Sequence, residues 1–406
     1  MKKKILFVDD DANVLGGLRR ILRGMRPEWD MEFAESGQEA LEILAGKPFD
    51  VLVTDMRMPG MDGCQLLEKV KELHPQIVRI ILSGYSERDL VFSSVGLAHQ
   101  FLSKPCDAET LKTTVSRASA MRELLEDEFL VKIVSSIDSL PSVPSLYQEV
   151  IEEVNAEEGS LEKVGEIISK DAGMSAKLLQ LVNSAFFGLP AKATSVLRAV
   201  NLLGIETIKT LVLSVKIFSQ FDQPGLISVS RLWEHSLETG MIARSIATQK
   251  NLVQAGIDEA FTAGLLHDVG KLILLDKLPQ KYAEVSTLSE TAGRPVWEVE
   301  QTVLGTTHAQ VGAYLLGIWG LSGSLVEAVA FHHCPGKCPN TSLSTLTAVH
   351  LADYAEHAAR GENGEDRLDT DYLKKLGFSD KLFENSTKRG KSLEKGLPHG
   401  CQNSFC

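Results

Sequence analysis

Val51-Leu52-Val53-Thr54-Asp55 is the stretch on which the reading of the fold turns. Residues 51–54 read as a buried β-strand, and the Asp55 carboxylate follows at its carboxyl end. Working outward, four more short β-rich runs, 4–8, 31–34, 78–82 and 100–102, alternate with longer helical patterns over residues 1–120. That alternation predicts a parallel sheet flanked by helices. Ligands of an open parallel sheet sit outside the carboxyl ends of its strands. Here those ends carry Asp9-Asp10, Asp55, Ser83 and Lys104, so four chemically distinct groups are expected along one edge.

These residue types suit phosphoryl chemistry. Clustered carboxylates need a hard cation to relieve their repulsion, and Mg2+ prefers oxygen ligands. Asp55 can attack phosphorus through a carboxylate oxygen and form an acyl phosphate. Lys104 offers a compact positive charge to the phosphate, and the Ser83 hydroxyl can donate to another of its oxygens. A single acidic strand end is usually a solvated loop carboxylate; the full set at one edge is not explained that way.

The stretches Ile5-Leu6-Phe7-Val8-Asp9-Asp10-Asp11, Thr54-Asp55-Met56-Arg57-Met58-Pro59-Gly60-Met61-Asp62-Gly63, Ile80-Ile81-Leu82-Ser83-Gly84-Tyr85 and Phe101-Leu102-Ser103-Lys104-Pro105 resemble the receiver domain of two-component response regulators. The resemblance covers residues 1–120 and implies a flavodoxin-like sheet of order 2-1-3-4-5. It implies that a sensor histidine kinase phosphorylates Asp55, with Asp9, Asp10 and the Arg57 carbonyl completing a Mg2+ site. It also implies a cis peptide before Pro105 and a switch role for Phe101, which holds the aromatic position without the hydroxyl of the commoner tyrosine.

Local signals fill in the frame. Ser36 and Glu39 are expected to form a capping box, and Asp107 to cap a last helix running toward Phe129, its charged end serving as a connector over 121–134. From about Val131 the strand patterns vanish and apolar residues recur at helical spacing (Leu178, Leu179, Val182, Ala185), which predicts an all-helical domain over 135–360. The segment 361–406 is polar and weakly patterned; a short helix at 372–376 and a disordered end are expected.

The helical region holds His235, His267-Asp268, His308, His332-His333 and Asp353. Imidazoles and carboxylates are the ligands of Zn, Mn or Fe, and one or two such ions with a bridging water hydrolyse phosphate esters. Their spacing is long, and spacing alone leaves open a set of hydrogen-bonded core residues. Leu265-Leu266-His267-Asp268-Val269-Gly270-Lys271 looks like the signature of HD phosphohydrolases. Ser139-Leu140-Pro141-Ser142-Val143-Pro144, Ile168 to Leu179, Val182-Asn183-Ser184-Ala185-Phe186-Phe187-Gly188 and Ala199 to Gly204 are similar to the HDOD domain, the HD-related output domain. That resemblance implies a helical module that signals by protein interaction, without defined enzymatic activity. His332-His333 run into Cys334-Pro335-Gly336 rather than the Gly-Tyr-Pro segment of the related cyclic-dinucleotide phosphodiesterases. A non-enzymatic regulator meeting a downstream protein or a second copy of itself is therefore the first expectation, and a metal-dependent phosphohydrolase the alternative.

Composition narrows the classes. A net charge of −12 without a basic stripe argues against DNA binding. No uncharged apolar run reaches the ~18 residues of a membrane span, and the six scattered cysteines fit a reducing cytoplasm. Cys334 and Cys338 lack the spacing of a zinc knuckle, and Trp233, Trp297 and Trp319 read as helix-packing anchors.

Overall fold

The computed structural model describes residues 2–84, 96–125, 127–142, 144–156, 159–183, 192–209, 212, 219–220, 229–340, 342–361 and 368–378. Tyr85, the motif residues Ser184 to Gly188, and the tail from 379 onward lie outside the described residues. By packing, the chain divides into two compact units, one of residues 1–223 with 313–322 and one of 224–312 with 323–406.

The first unit opens with the expected sheet. Strands β1 (Lys3–Val8), β2 (Trp29–Ala34), β3 (Val51–Asp55), β4 (Val78–Gly84) and β5 (Gln100–Lys104) are parallel and lie in the order β2-β1-β3-β4-β5. Three run further than the sequence predicts at their carboxyl ends, so Asp55, Ser83 and Lys104 belong to the strands themselves. Register places Asp55 opposite Leu82 and Lys104 opposite Gly84. The core between sheet and helices is built from Leu6, Val8, Leu52, Met56, Leu66, Ile81 and Phe101, all nearly inaccessible.

Two local expectations are corrected. Ser36 Oγ does accept from the Glu39 amide, but Glu39 reaches back to the Glu35 amide (2.8 Å), so the reciprocal bond falls one residue earlier than in a capping box. The helix capped by Asp107 ends at Met121, not near Phe129; a 3-10 turn (Arg122–Leu124) follows, and Asp127 caps a separate helix, Glu128–Ser135. Asp127 accepts from the amides of both Phe129 and Leu130, a local side-chain bond that starts a new helix rather than prolonging the old one. The helical region is also not strictly all-helical, because Pro141–Ser142 pairs in parallel with Ser219–Gln220.

The rest of this unit packs helices Leu161–Ile168, Ala172–Val182 and Val196–Leu203 together. Every position of Ala172–Val182 is buried, so it is a central helix rather than an amphipathic one. Its Gln180 amide donates to the His99 carbonyl (3.1 Å), and the Gln100 amide donates to the Ile318 carbonyl (2.9 Å). At the foot of β4, Arg79 is 1% exposed; its Nε donates to the Leu97 carbonyl (2.6 Å) and Nη2 to the Ser135 carbonyl (3.2 Å). The start of the sheet and the first helices thus share one hydrogen-bonded seam.

The second unit is helical among its described residues. Val229–Gln249 packs on Gln254–Leu266 and on Thr345–Ala359, and Gly323–Phe331 packs on the latter two. The short helix near the end is Thr370–Lys375, opened by Asp369 and placed two residues before the predicted one. No helix among the described residues is long and apolar enough to cross a membrane.

Candidate functional site

The sheet edge assembles as the sequence predicts. Lys104 Nζ lies 2.8 Å from Asp9 Oδ2 and bonds Asp55 Oδ1, bridging carboxylates from β1 and β3. Asp55 Oδ2 accepts from the Arg57 amide (3.0 Å), and Asp9 Oδ1 accepts from the Asp11 amide (3.0 Å). Asp9, Asp55 and Ser83 are buried, whereas Asp10 is exposed. Burial raises the Asp55 pKa above the usual carboxylate value, against the hydrogen bond and charge of Lys104. Burial opposes the charge of Lys104, but its two carboxylate partners outweigh this and hold its pKa up. Contact with the Lys104 ammonium favours the carboxylate form of Asp55, the form nucleophilic attack needs, against its burial. The Lys104–Pro105 peptide is cis, as the resemblance implies, and Phe101 is 2% exposed, turned into the core.

Gly63 shows why the loop after Asp55 has its composition. A Cβ there would stand 2.3 Å from the Asp55 carbonyl oxygen and 3.0 Å from Met56 Cα, both backbone atoms. Gly63→Ala is expected to push the Asp55 loop outward and cost about 1–3 kcal/mol, the usual penalty of overpacking. Urea denaturation measures it, and a change below about 0.5 kcal/mol, within the range of ordinary surface substitutions, would contradict the contact.

In the second unit, every histidine and acid singled out in the helical sequence comes together. His235 sits on Val229–Gln249, His267-Asp268 join two helices, His308 opens another, His332-His333 follow Gly323–Phe331, and Asp353 lies on Thr345–Ala359. Gly270 packs against the start of the His308 helix so closely that a Cβ would meet the His308 carbonyl at 1.9 Å, which accounts for the glycine after His267-Asp268. Ligand-type atoms group as Asp268, His308, His332 and His333, and as His235, His267 and Asp268; Asp353 joins His235 with His357, and His267 with His332.

The hydrogen bonds fix which way the rings face. His267 Nδ1 donates to the Gly264 carbonyl (2.6 Å) and His332 Nδ1 to the Val329 carbonyl (2.8 Å), so both present Nε2 lone pairs. His235 Nδ1 faces Glu356 Oε2 and His308 Nδ1 faces Glu300 Oε2, each at 2.6 Å. The inner atoms then crowd: His235 Nε2 to His267 Nε2 is 3.1 Å, and His308 Nε2 to Asp268 Oδ1 is 3.0 Å. His332 Nε2 is buried without a hydrogen-bond partner. Imidazole nitrogens and carboxylate oxygens that converge in this way suit a cation, and imidazoles held from behind by carboxylates and carbonyls are how metal sites orient their ligands. Burial, then the neighbouring imidazoles, holds His332 and His333 well below the usual histidine pKa, leaving them neutral as ligands must be. The residues therefore fit a divalent transition metal by chemistry and by orientation.

Several participants escape sequence reading. Glu300, Glu356, His357 and Lys271 surround the cluster, Lys271 Nζ meeting Asp268 Oδ2 at 2.5 Å. Only Lys271 had a signal, as the last residue of the HD-like stretch. Trp297 stacks on His333 (centroids 5.7 Å apart), a contact beyond simple helix packing. Cys334 and Cys338 carry free thiols and join none of the metal-ligand groups found among the described residues. Beside the cluster lies a cavity of about 280 Å³ lined by Arg231, Lys271, Tyr282, Arg360 and the site residues His235 and Asp268.

Residues 5–116 match the response regulator receiver domain and residues 140–335 the HDOD domain. The chain is a response regulator with a receiver and an HDOD domain. Its receiver is 39% identical over 120 residues to the DNA-binding transcriptional regulator NtrC of Escherichia coli, covering 29% of this chain and 25% of NtrC. An uncharacterized protein of Treponema pallidum is 24% identical over 262 residues, covering 63% of this chain and 50% of that protein. The chain thus spans half or less of these relatives. Among solved structures, the MmoQ response regulator of Methylococcus capsulatus aligns over 61% of this chain and 97% of its own, at 21% identity and a TM-score of 0.49.

Proposed function

We propose that this response regulator accepts a phosphoryl group on Asp55 from a histidine kinase and passes the change to its HDOD domain, which acts on a downstream protein. The observation that carries the reading is Lys104 held between Asp9 and Asp55 at the carboxyl edge of the sheet. Asp55 Oδ attacks phosphorus as the P–N bond to the donor histidine breaks, and the donor imidazole leaves with a proton. Lys104 then turns its ammonium to the new phosphate, and Ser83 lies one strand away to donate its hydroxyl. The oxygen donors Asp9, Asp10, Asp55 and the Arg57 carbonyl suit Mg2+, which when bound neutralises charge on the incoming group. Acetyl phosphate or a kinase is expected to label the wild type and leave Asp55→Asn at background; label retained by the variant would place the acceptor elsewhere.

For the helical domain, the converging Nε2 atoms favour a second reading, metal-dependent hydrolysis of a phosphate ester. The basic side chains lining the adjacent cavity complement a phosphate anion. Turnover of bis-p-nitrophenyl phosphate with Mn2+ by wild type, and its disappearance in His267→Ala, would support catalysis. A wild type that binds metal but turns over no phosphodiester would leave the domain to protein interaction.

A further inference from the structure

Two of the cluster histidines are backed by carboxylates where others are backed by peptide carbonyls. Glu300 is fully buried; its Oε2 accepts from the His308 amide (2.8 Å) as well as from His308 Nδ1 (2.6 Å), and its Oε1 accepts from the Tyr282 hydroxyl (3.0 Å). Glu356 is 2% exposed; its Oε2 accepts from His235 Nδ1 and its other oxygen pairs with Arg360. Burying a carboxylate is costly, and neutral hydrogen bonds alone are served as well by glutamine. Among the described residues no lysine or arginine hydrogen-bonds to Glu300; its bonding partners are the amide and imidazole of His308 and the Tyr282 hydroxyl.

The two backed histidines fall in different ligand groups. His308 belongs with Asp268, His332 and His333, while His235 belongs with His267 and Asp268, so Asp268 is common to both. We propose that Glu300 and Glu356 are positioning residues for two cation sites that share Asp268, each fixing one histidine with its Nε2 lone pair inward and raising its donor strength. This rests on the metal reading of the cluster. The carboxylate behind a ligating histidine raises the basicity of the ligating nitrogen, and such partners contribute about 10–100-fold to metal affinity. One carboxylate per site means that the two affinities can be weakened separately.

Titration of the full-length, metal-stripped protein with Co2+, followed by visible absorption, tests the assignment. Wild type is expected to develop two sets of bands. Glu300→Gln and Glu356→Gln keep an acceptor and the side-chain volume but lose the charge. Each is expected to weaken one set about tenfold or more and shift its maximum, with an unchanged melting temperature in the metal-free form. A merely structural role would move the melting temperature and leave the bands alone. Glu300→Leu, which removes the acceptor too, should weaken the same set further; if it fails to fold, the glutamine variants still decide. Wild-type affinities and spectra in both glutamine variants would overturn the proposal while leaving the metal reading intact. Loss of the same band set in both would overturn the assignment of one carboxylate per site. No Co2+ bound by wild type would overturn the metal reading itself.

Discussion

Arg79→Met is expected to destabilise the protein by about 1–3 kcal/mol for each buried carbonyl it leaves without a donor. The guanidinium is 1% exposed, and burial lowers its pKa to about 10. It donates to the carbonyls of Leu97 and Ser135, and more weakly to Pro75 (3.3 Å) and Ile77 (3.4 Å). Methionine fills similar volume but offers no donor, so these carbonyls lose partners inside the protein. The neighbouring His99 has its tautomer set by the same bonds: its Nδ1 accepts from the Arg79 amide (2.9 Å), so its Nε2 carries the hydrogen that goes to the Ser135 carbonyl (2.8 Å). Burial, then Arg79, holds the His99 pKa well below the ordinary value. As pH falls below about 6.5, the unfolded chain takes up a proton that folded His99 refuses, so stability drops toward acid by up to about 1.4 kcal/mol per pH unit. Urea midpoints at pH 7.5 and 5.5 measure both effects. Arg79→Met within about 0.5 kcal/mol of wild type, the range of ordinary surface substitutions, would sink the first. A pH slope unchanged in His99→Gln would sink the second.

Asp268→Ala is expected to remove metal from the HDOD cluster altogether. Its Oδ1 lies 3.0 Å from His308 Nε2 and 3.9 Å from His332 Nε2, and its Oδ2 lies 3.5 Å from His235 Nε2 and 3.6 Å from His267 Nε2. Asp353 is placed similarly but further out, its Oδ1 3.4 Å from His235 Nε2 and its Oδ2 3.9 Å from His333 Nδ1; Asp268 is the acid shared by the His235–His267 and the His308–His332–His333 groups. The loss in affinity should exceed the about 10–100-fold attached to outer partners of a ligand. His333→Ala removes a ligand from one group and should leave the other occupied. Elemental analysis after metal loading and gel filtration reads both; Asp268→Ala retaining the wild-type metal content would show that the cluster is a hydrogen-bonded core.

The receiver half was legible because each of its functional groups stands at a strand end, where a topology rule turns sequence position into spatial position. Asp9, Asp55, Ser83 and Lys104 needed only the order of the strands. The helical half offers no such rule. His235 and Asp353 are more than a hundred residues apart, and helical periodicity says which face is buried without saying what it meets. Resemblance to a family named the ligands, but Glu300 and Glu356 look like ordinary helix-surface acids until the imidazoles they face are in place. Arg79 is similar: it interrupts an apolar strand, and only the seam with Ser135 explains it. Boundaries failed for local reasons, as where Asp127 restarts a helix that composition alone would have carried on from Met121.

The seam at the foot of β4 and β5 has a consequence for how such a molecule transmits information. A switch that works by letting go of its partner module needs a joint that parts at little cost. Across this joint the Arg79 guanidinium and the His99 imidazole both meet the Ser135 carbonyl, and the Gln100 and Gln180 amides each donate to a carbonyl on the far side. Clipping the chain near residue 125 would strand those groups, so the sheet and its first helices have to flex together, like a hinge plate welded to its door.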